Sequence, residues 1–199
     1  MAQVDAQVAI RGGSGVWAFR VLLVAAAGFM VYSWFTPWWS ADIAVLPGED
    51  HMVMRPWGIE VAAQVRANAD ESLWSMPWIF TPFMWTYLAV CMLLLAVSLF
   101  VNRQVSVGRF KLSLAAVLIG LVGLSYLVAV GLAYGIGELR AESAGSNFIG
   151  KSTVKHAMTG NKVKMVSDLK DGYWLALSAG PALIVLALIR GLFVRKPKV

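Results

Sequence analysis

The sequence predicts an all-α integral membrane protein, a bundle of four transmembrane helices with a Trp/Pro-rich first outer loop. Two observations predict it. Hydrophobic residues make up 59% of the 199 and charged residues only 14%, against about 45–50% and about 25% in a typical soluble domain. The apolar residues also gather into four runs, Val16–Phe35, Trp78–Val101, Leu112–Ile136 and Tyr173–Ile189. Each is near the roughly 20 residues that cross about 30 Å of hydrocarbon at 1.5 Å per residue.

The first run, 16–35, follows Arg11 and contains Arg20, a positive start that also suits a signal peptide. Its apolar stretch is long for that role, and Phe35–Trp39 offers no small-x-small cleavage site, so it reads as an uncleaved anchor. The second run, 78–101, is entered through Pro77 and Pro82, which fit a bend. The third, 112–136, is the longest and predicts tilt or projection beyond the bilayer. Its small residues Ala116, Gly120, Gly123, Gly131 and Gly135 include two small-xxx-small pairs, Ala116/Gly120 and Gly131/Gly135, a spacing that lets helix backbones approach. The fourth, 173–189, contains Pro181, which predicts a kink, with Ser178 near enough to pair a freed carbonyl.

Charge sets the orientation. Arg11, Arg20, Arg103, Arg109, Lys111, Arg190, Arg195, Lys196 and Lys198 flank the runs on one side, against the single acid Asp5. The two longer loops, 37–77 and 137–172, hold the remaining bases together with all the other acids. The positive-inside rule then puts both termini and the short link 102–111 in the cytoplasm, with 1–199 a single multi-pass domain of the cell membrane. The net charge of +6 does not mark a nucleic-acid binder, because the bases flank apolar runs and form no separate soluble face. The lone Cys91 permits no internal disulfide.

The first outer loop carries six acids against Arg55 and Arg66, and Ile59–Ala69 has the spacing of a short amphipathic helix. The second is punctuated by Gly145, Gly150 and Gly160, with recurrent lysines and no strong period. A long first outer loop and a short inner link resemble the layout of claudin-type four-span proteins, but the paired loop cysteines of that family are missing. The resemblance implies no function here.

The second, third and fourth runs contain no Asp, Glu, Lys, Arg or His. Such residues mark ion pathways and proton relays, so the pattern speaks against a pump. Arg20 sits at a run's cytoplasmic end, where its guanidinium snorkels to water. The only histidines, His51 and His156, fall in loops, which argues against a haem held between helices. No iron–sulfur cysteine cluster, phosphate-cradling loop or nucleophile elbow is present.

One short run carries metal chemistry. His51, Met52 and Met54 place an imidazole and two thioethers within four residues, a soft set suited to Cu(I). The plainer reading has His51 solvated and both methionines packed on the membrane surface. Eight of the nine tryptophans (all but Trp17) fall on or near the outer side. An aromatic belt explains a few. The remainder suggest a docking face for a partner, with Trp38, Trp39, Trp57 and Trp74 as its anchors.

The leading expectation is a non-catalytic accessory subunit of a larger membrane complex, in contact with other membrane subunits and the lipid bilayer. The His51–Met54 run makes a redox or monooxygenase-type assembly the narrower form of it, without enzymatic activity of its own. One alternative is an outer-face copper site contributed to a membrane enzyme. Another is a small transporter or channel with a polar path through Ser98, Ser113, Ser125 and Tyr126.

Overall fold

The computed structural model describes residues 2–44, 46–68, 75–101, 103–107, 110–155 and 162–193. In chain order the elements are α1 (Ala2–Phe35), β1 (Trp39–Ile43), β2 (Met52–Arg55), β3 (Gly58–Val61), α2 (Ala63–Asn68), α3 (Phe80–Phe100), β4 (Gln104–Val107), β5 (Phe110–Ser113), α4 (Leu114–Ser143), β6 (Gly150–Lys155), β7 (Lys162–Leu169) and α5 (Asp171–Phe193). Four helical stretches, Gly15–Phe35, Phe80–Phe100, Leu114–Ser143 and Asp171–Phe193, are long and apolar enough to cross a membrane.

The all-α expectation is overturned. Five strands form an antiparallel sheet in the order β3-β2-β1-β7-β6, and β4 pairs with β5 in a separate hairpin. A fold made only of four bundled helices therefore does not describe this chain. The two long connections that read as loops supply the sheet: β1, β2 and β3 come from the first, β6 and β7 from the second. Ile59–Ala69 is not one helix either. Gly58–Val61 pairs with β2, and the helix among the described residues there is Ala63–Asn68. The short link likewise contributes β4 and pairs its four residues with β5.

Local chemistry accounts for the helix ends. Ser113 caps α4, its Oγ accepting the Ala116 amide at 3.1 Å. At the other end Gly145 adopts φ 67°. The Ser146 amide reaches Ala141 O at 2.8 Å and the Gly145 amide reaches Glu142 O at 2.9 Å. This is the paired closure of a Schellman motif, which a Cβ at Gly145 would strain. Asp171 opens α5 with an acid in its first turn, where the helix dipole favours negative charge. Over 30 residues, α4 spans about 45 Å at 1.5 Å per residue, roughly 15 Å more than a hydrocarbon core.

The chain divides into two compact units. The first comprises residues 1–30, 89–127 and 178–199. Phe19, Leu23, Leu95, Ile119, Val122 and Leu183 are buried there. One close helix approach there is Gly123 of α4 against Gly180 of α5. A Cβ built on either would lie within 3 Å of the other's carbonyl oxygen, at 2.8 and 2.9 Å. Of the packing residues read from the sequence, Gly120 lies in the same unit and would meet Ala187 at an ordinary 3.7 Å. Gly131 and Gly135, which belong to the second unit, have nothing within 4 Å of a built Cβ. The spacing of small residues is real, but the close contact uses the glycine between the two expected pairs.

The second unit, residues 31–88 and 128–177, contains the five-stranded sheet and α2. It also includes the C-terminal ends of α1 and α4 and the N-terminal ends of α3 and α5.

Candidate functional site on the five-stranded sheet

β1 is the centre of the sheet. Trp39, Ser40 and Ala41 pair with Met54, Val53 and Met52 of β2, and Trp39 through Ile43 pair with Leu169 through Met165 of β7. Alternation along these strands separates an apolar face from a polar one. On the apolar face Trp39, Ala41, Phe148 and Met165 are buried together, with Met52, Met54, Tyr134, Ala141 and Leu169 packed against them.

The Trp39 and Phe148 rings stack at 5.6 Å with 7° between their planes. The Trp39 Nε1–H donates to Phe148 O at 2.7 Å, and the buried Ser167 hydroxyl donates to the same oxygen at 3.0 Å. The ring of Phe148 seats against Gly137 of α4, where a Cβ would fall 2.5 Å from its carbons. Trp38 is tied down separately. Its Nε1–H donates to Ser33 O at 2.8 Å and its ring meets Tyr173 edge-on at 6.2 Å.

Two of the four expected docking anchors are therefore core residues. Trp38 is 2% exposed and Trp39 7%, so neither can meet a partner while the unit stays folded. Trp57 is half-buried in an aromatic cluster, stacked on Trp85 at 5.2 Å and edge-on to Phe35 at 5.6 Å. Trp74 lies outside the described residues. Among the described residues the most exposed tryptophan is Trp78, at 87%.

The candidate metal ligands part in the same way. His51 is 3% exposed and turns toward β1. The Ile43 amide donates to its Nδ1 at 3.3 Å, its Nε2 faces Pro47 O at 3.4 Å, and Asp42 Oδ1 stands 3.4 Å from Nδ1. Met52 and Met54 pack instead against the Trp39–Phe148 cluster. The fold gives the imidazole and the thioethers different neighbours and does not gather them around one point. Among the described residues no group of three or more His, Cys, Asp or Glu side chains could hold a metal ion.

The serines of the expected polar path are turned back on their own helices. Ser98 Oγ donates to Leu95 O at 2.6 Å, Ser125 Oγ donates to Val122 O at 3.0 Å, and Ser113 serves as the cap of α4. Tyr126 is fully buried.

The polar face of the sheet is asymmetric in charge. It carries Asp42 on β1 and Glu60 on β3, with Arg55 paired to Glu60, and Glu49 and Asp50 stand in the turn between β1 and β2. Asp50, held at φ 54°, bonds the Lys170 ammonium at 3.1 Å. The buried Ser40 hydroxyl and then Lys170 hold the Asp50 carboxyl below the usual carboxylate range, and Asp50 in turn raises Lys170. Toward β6 the signs reverse. Lys151, Lys162 and Lys164 are exposed, with Thr153 opposite Lys164 and Val166 opposite Lys151. These three lysines make no ion pair among the described residues.

No protein-family model and no curated protein matches this chain.

Sequence reasoning missed Phe148, Gly137 and the Asp50–Lys170 pair. A signal for β7 was present in Lys162-Val163-Lys164-Met165, a polar–apolar alternation that the structure realises as exposed and buried positions in turn. Phe148 carried none. It sits in a glycine-flanked turn, and only its contacts reveal it as core.

Proposed function

We propose that this chain is a multi-pass membrane protein with both termini in the cytoplasm, acting as a non-catalytic accessory subunit of a larger membrane complex. The topology is supported by strand pairing. β1 belongs to the first long connection and β7 to the second, and their five-residue ladder requires both connections to lie on one side of any membrane the helices cross. The excess of basic residues at the termini and in the link 101–113 assigns that other side to the cytoplasm.

One observation carries the subunit reading: the ordered exposed face of β6 and β7, which holds Lys151, Lys162 and Lys164 at one end of the sheet. A pre-formed strand surface binds without first being ordered, which lowers the entropic cost of association. Charge of one sign steers and selects an acidic partner. The docking surface is thus the lysine-bearing strands, in place of the tryptophans that the core absorbs. With His51 parted from Met52 and Met54, the narrower redox or monooxygenase-type form has no further support in the site.

Size-exclusion chromatography of the protein extracted in mild detergent tests this. The wild type should elute as a complex larger than the lone chain. Reversing Lys162 and Lys164 to Glu should return it to the size of the lone chain while membrane insertion is unchanged. Elution of the wild type as a monomer, or of the double variant in the same complex, would sink the subunit reading.

A further inference from the structure

A second surface in the first unit has a different chemistry. A groove of about 380 Å³ is lined by Trp17, Arg20, Val21 and Val24 of α1 and by Leu99 and Phe100 at the end of α3. Trp17 is 66% exposed and Phe100 76%, and Val21 and Val24 are also open. Arg20 is the only charged side chain in this lining. One of its nitrogens donates to Leu99 O at 3.3 Å, an end-of-helix carbonyl where a cation is favoured. A guanidinium carries five N–H donors, and Arg20 makes no ion pair among the described residues. Arg190 differs. It is buried, sits over the Phe19 ring at 5.8 Å and reaches Val101 O at 3.5 Å.

The order of these residues along α1 matches the order of groups in a phospholipid. Trp17 and Arg20 come first, an amphipathic ring and a phosphate-binding fork of the kinds found at a membrane boundary. Val21 and Val24 follow, the latter about 6 Å further along the axis at 1.5 Å per residue, and offer only hydrocarbon.

We infer that this groove binds an anionic phospholipid of the cytoplasmic leaflet, with its phosphate on Arg20 and an acyl chain along Val21 and Val24. Charge complementarity decides the occupant: an apolar groove with one unpaired cation at its wet end suits a chain with one anion at its head. The inference rests on the membrane orientation proposed above.

The test uses the full chain in nanodiscs of phosphatidylcholine containing a minor fraction of phosphatidylglycerol, with the retained lipids read by native mass spectrometry. The wild type should retain phosphatidylglycerol in preference to phosphatidylcholine. R20Q should lower that preference about fivefold, the effect of one basic residue near an anionic surface. R20K should keep part of it, and R103Q, at an exposed arginine of the following link, should leave it unchanged. V24W, which fills the groove and spares Arg20, should reduce retention of either lipid. Wild-type preference in R20Q or wild-type retention in V24W overturns the site, as does full competition by inorganic phosphate, which would make it an ion site. A chain that stays in the pellet after alkaline extraction yet shows no lipid preference overturns the lipid site alone. A chain released to the supernatant overturns the membrane reading and the site together.

Discussion

Tryptophan shows how little a residue's identity says about its use. The side chain combines a large apolar surface with one N–H donor, and so it suits a lipid boundary, a partner interface and a core equally. Trp39 is core because its donor finds Phe148 O and its ring finds Phe148. Gly137 makes that seat possible, since a Cβ there would fall 2.5 Å from the Phe148 ring. Gly137→Ala should therefore destabilise the protein by about 1–3 kcal/mol, the cost of overpacking, although alanine is the better helix former by about 1 kcal/mol. Gly131→Ala, with open space around its Cβ, should be neutral or slightly stabilising. Thermal unfolding of the two variants in the same detergent checks both, and equal melting temperatures would show that the Phe148 ring yields.

At the scale of elements, the long helices were legible because their signal is local. Twenty consecutive apolar residues without charge have few alternatives to a helix in a low-dielectric medium, where every backbone group must be satisfied within the segment. The strands were less legible. β1, β2 and β3 are four or five residues long, and β1 pairs with a segment more than a hundred residues away, as in Ser40 opposite Asp168. Helix packing was legible in kind and not in place. Small residues recur along α4, yet the tight approach is Gly123 to Gly180, which depends on the facing residue of α5 as much as on spacing within α4. Gly123→Leu should accordingly disrupt the pairing of α4 with α5, since backbone and side-chain atoms of α5 already lie within about 3 Å of a built Cβ. Gly131→Leu and Gly135→Leu should leave stability near that of the parent. A denaturation series in detergent would reveal the contrast, and a Gly123→Leu variant as stable as Gly131→Leu would contradict the close approach.

For the whole molecule, the decisive link is the ladder between β1 and β7, which joins the two long connections in one sheet. Cysteine labelling reads this directly in a Cys91→Ala background. Lys151→Cys and Asp168→Cys, both at exposed sheet positions, should react with a membrane-impermeant thiol reagent added outside sealed cells. Gln104→Cys, exposed on β4, should react only after permeabilisation. Labelling of Gln104→Cys in sealed cells, or opposite behaviour of the two sheet positions, would contradict the proposed orientation.

By itself the sequence determined the four long apolar helices and the partition of charge along the chain, because hydropathy and charge are properties of each residue in place. Only the tertiary structure decided the sheet, the burial of Trp38 and Trp39, the separation of His51 from Met52 and Met54, and the pairing of Asp50 with Lys170. Each depends on which distant segment lies opposite. Strand register fixes which side chains share a face, and no residue carries the identity of its partner.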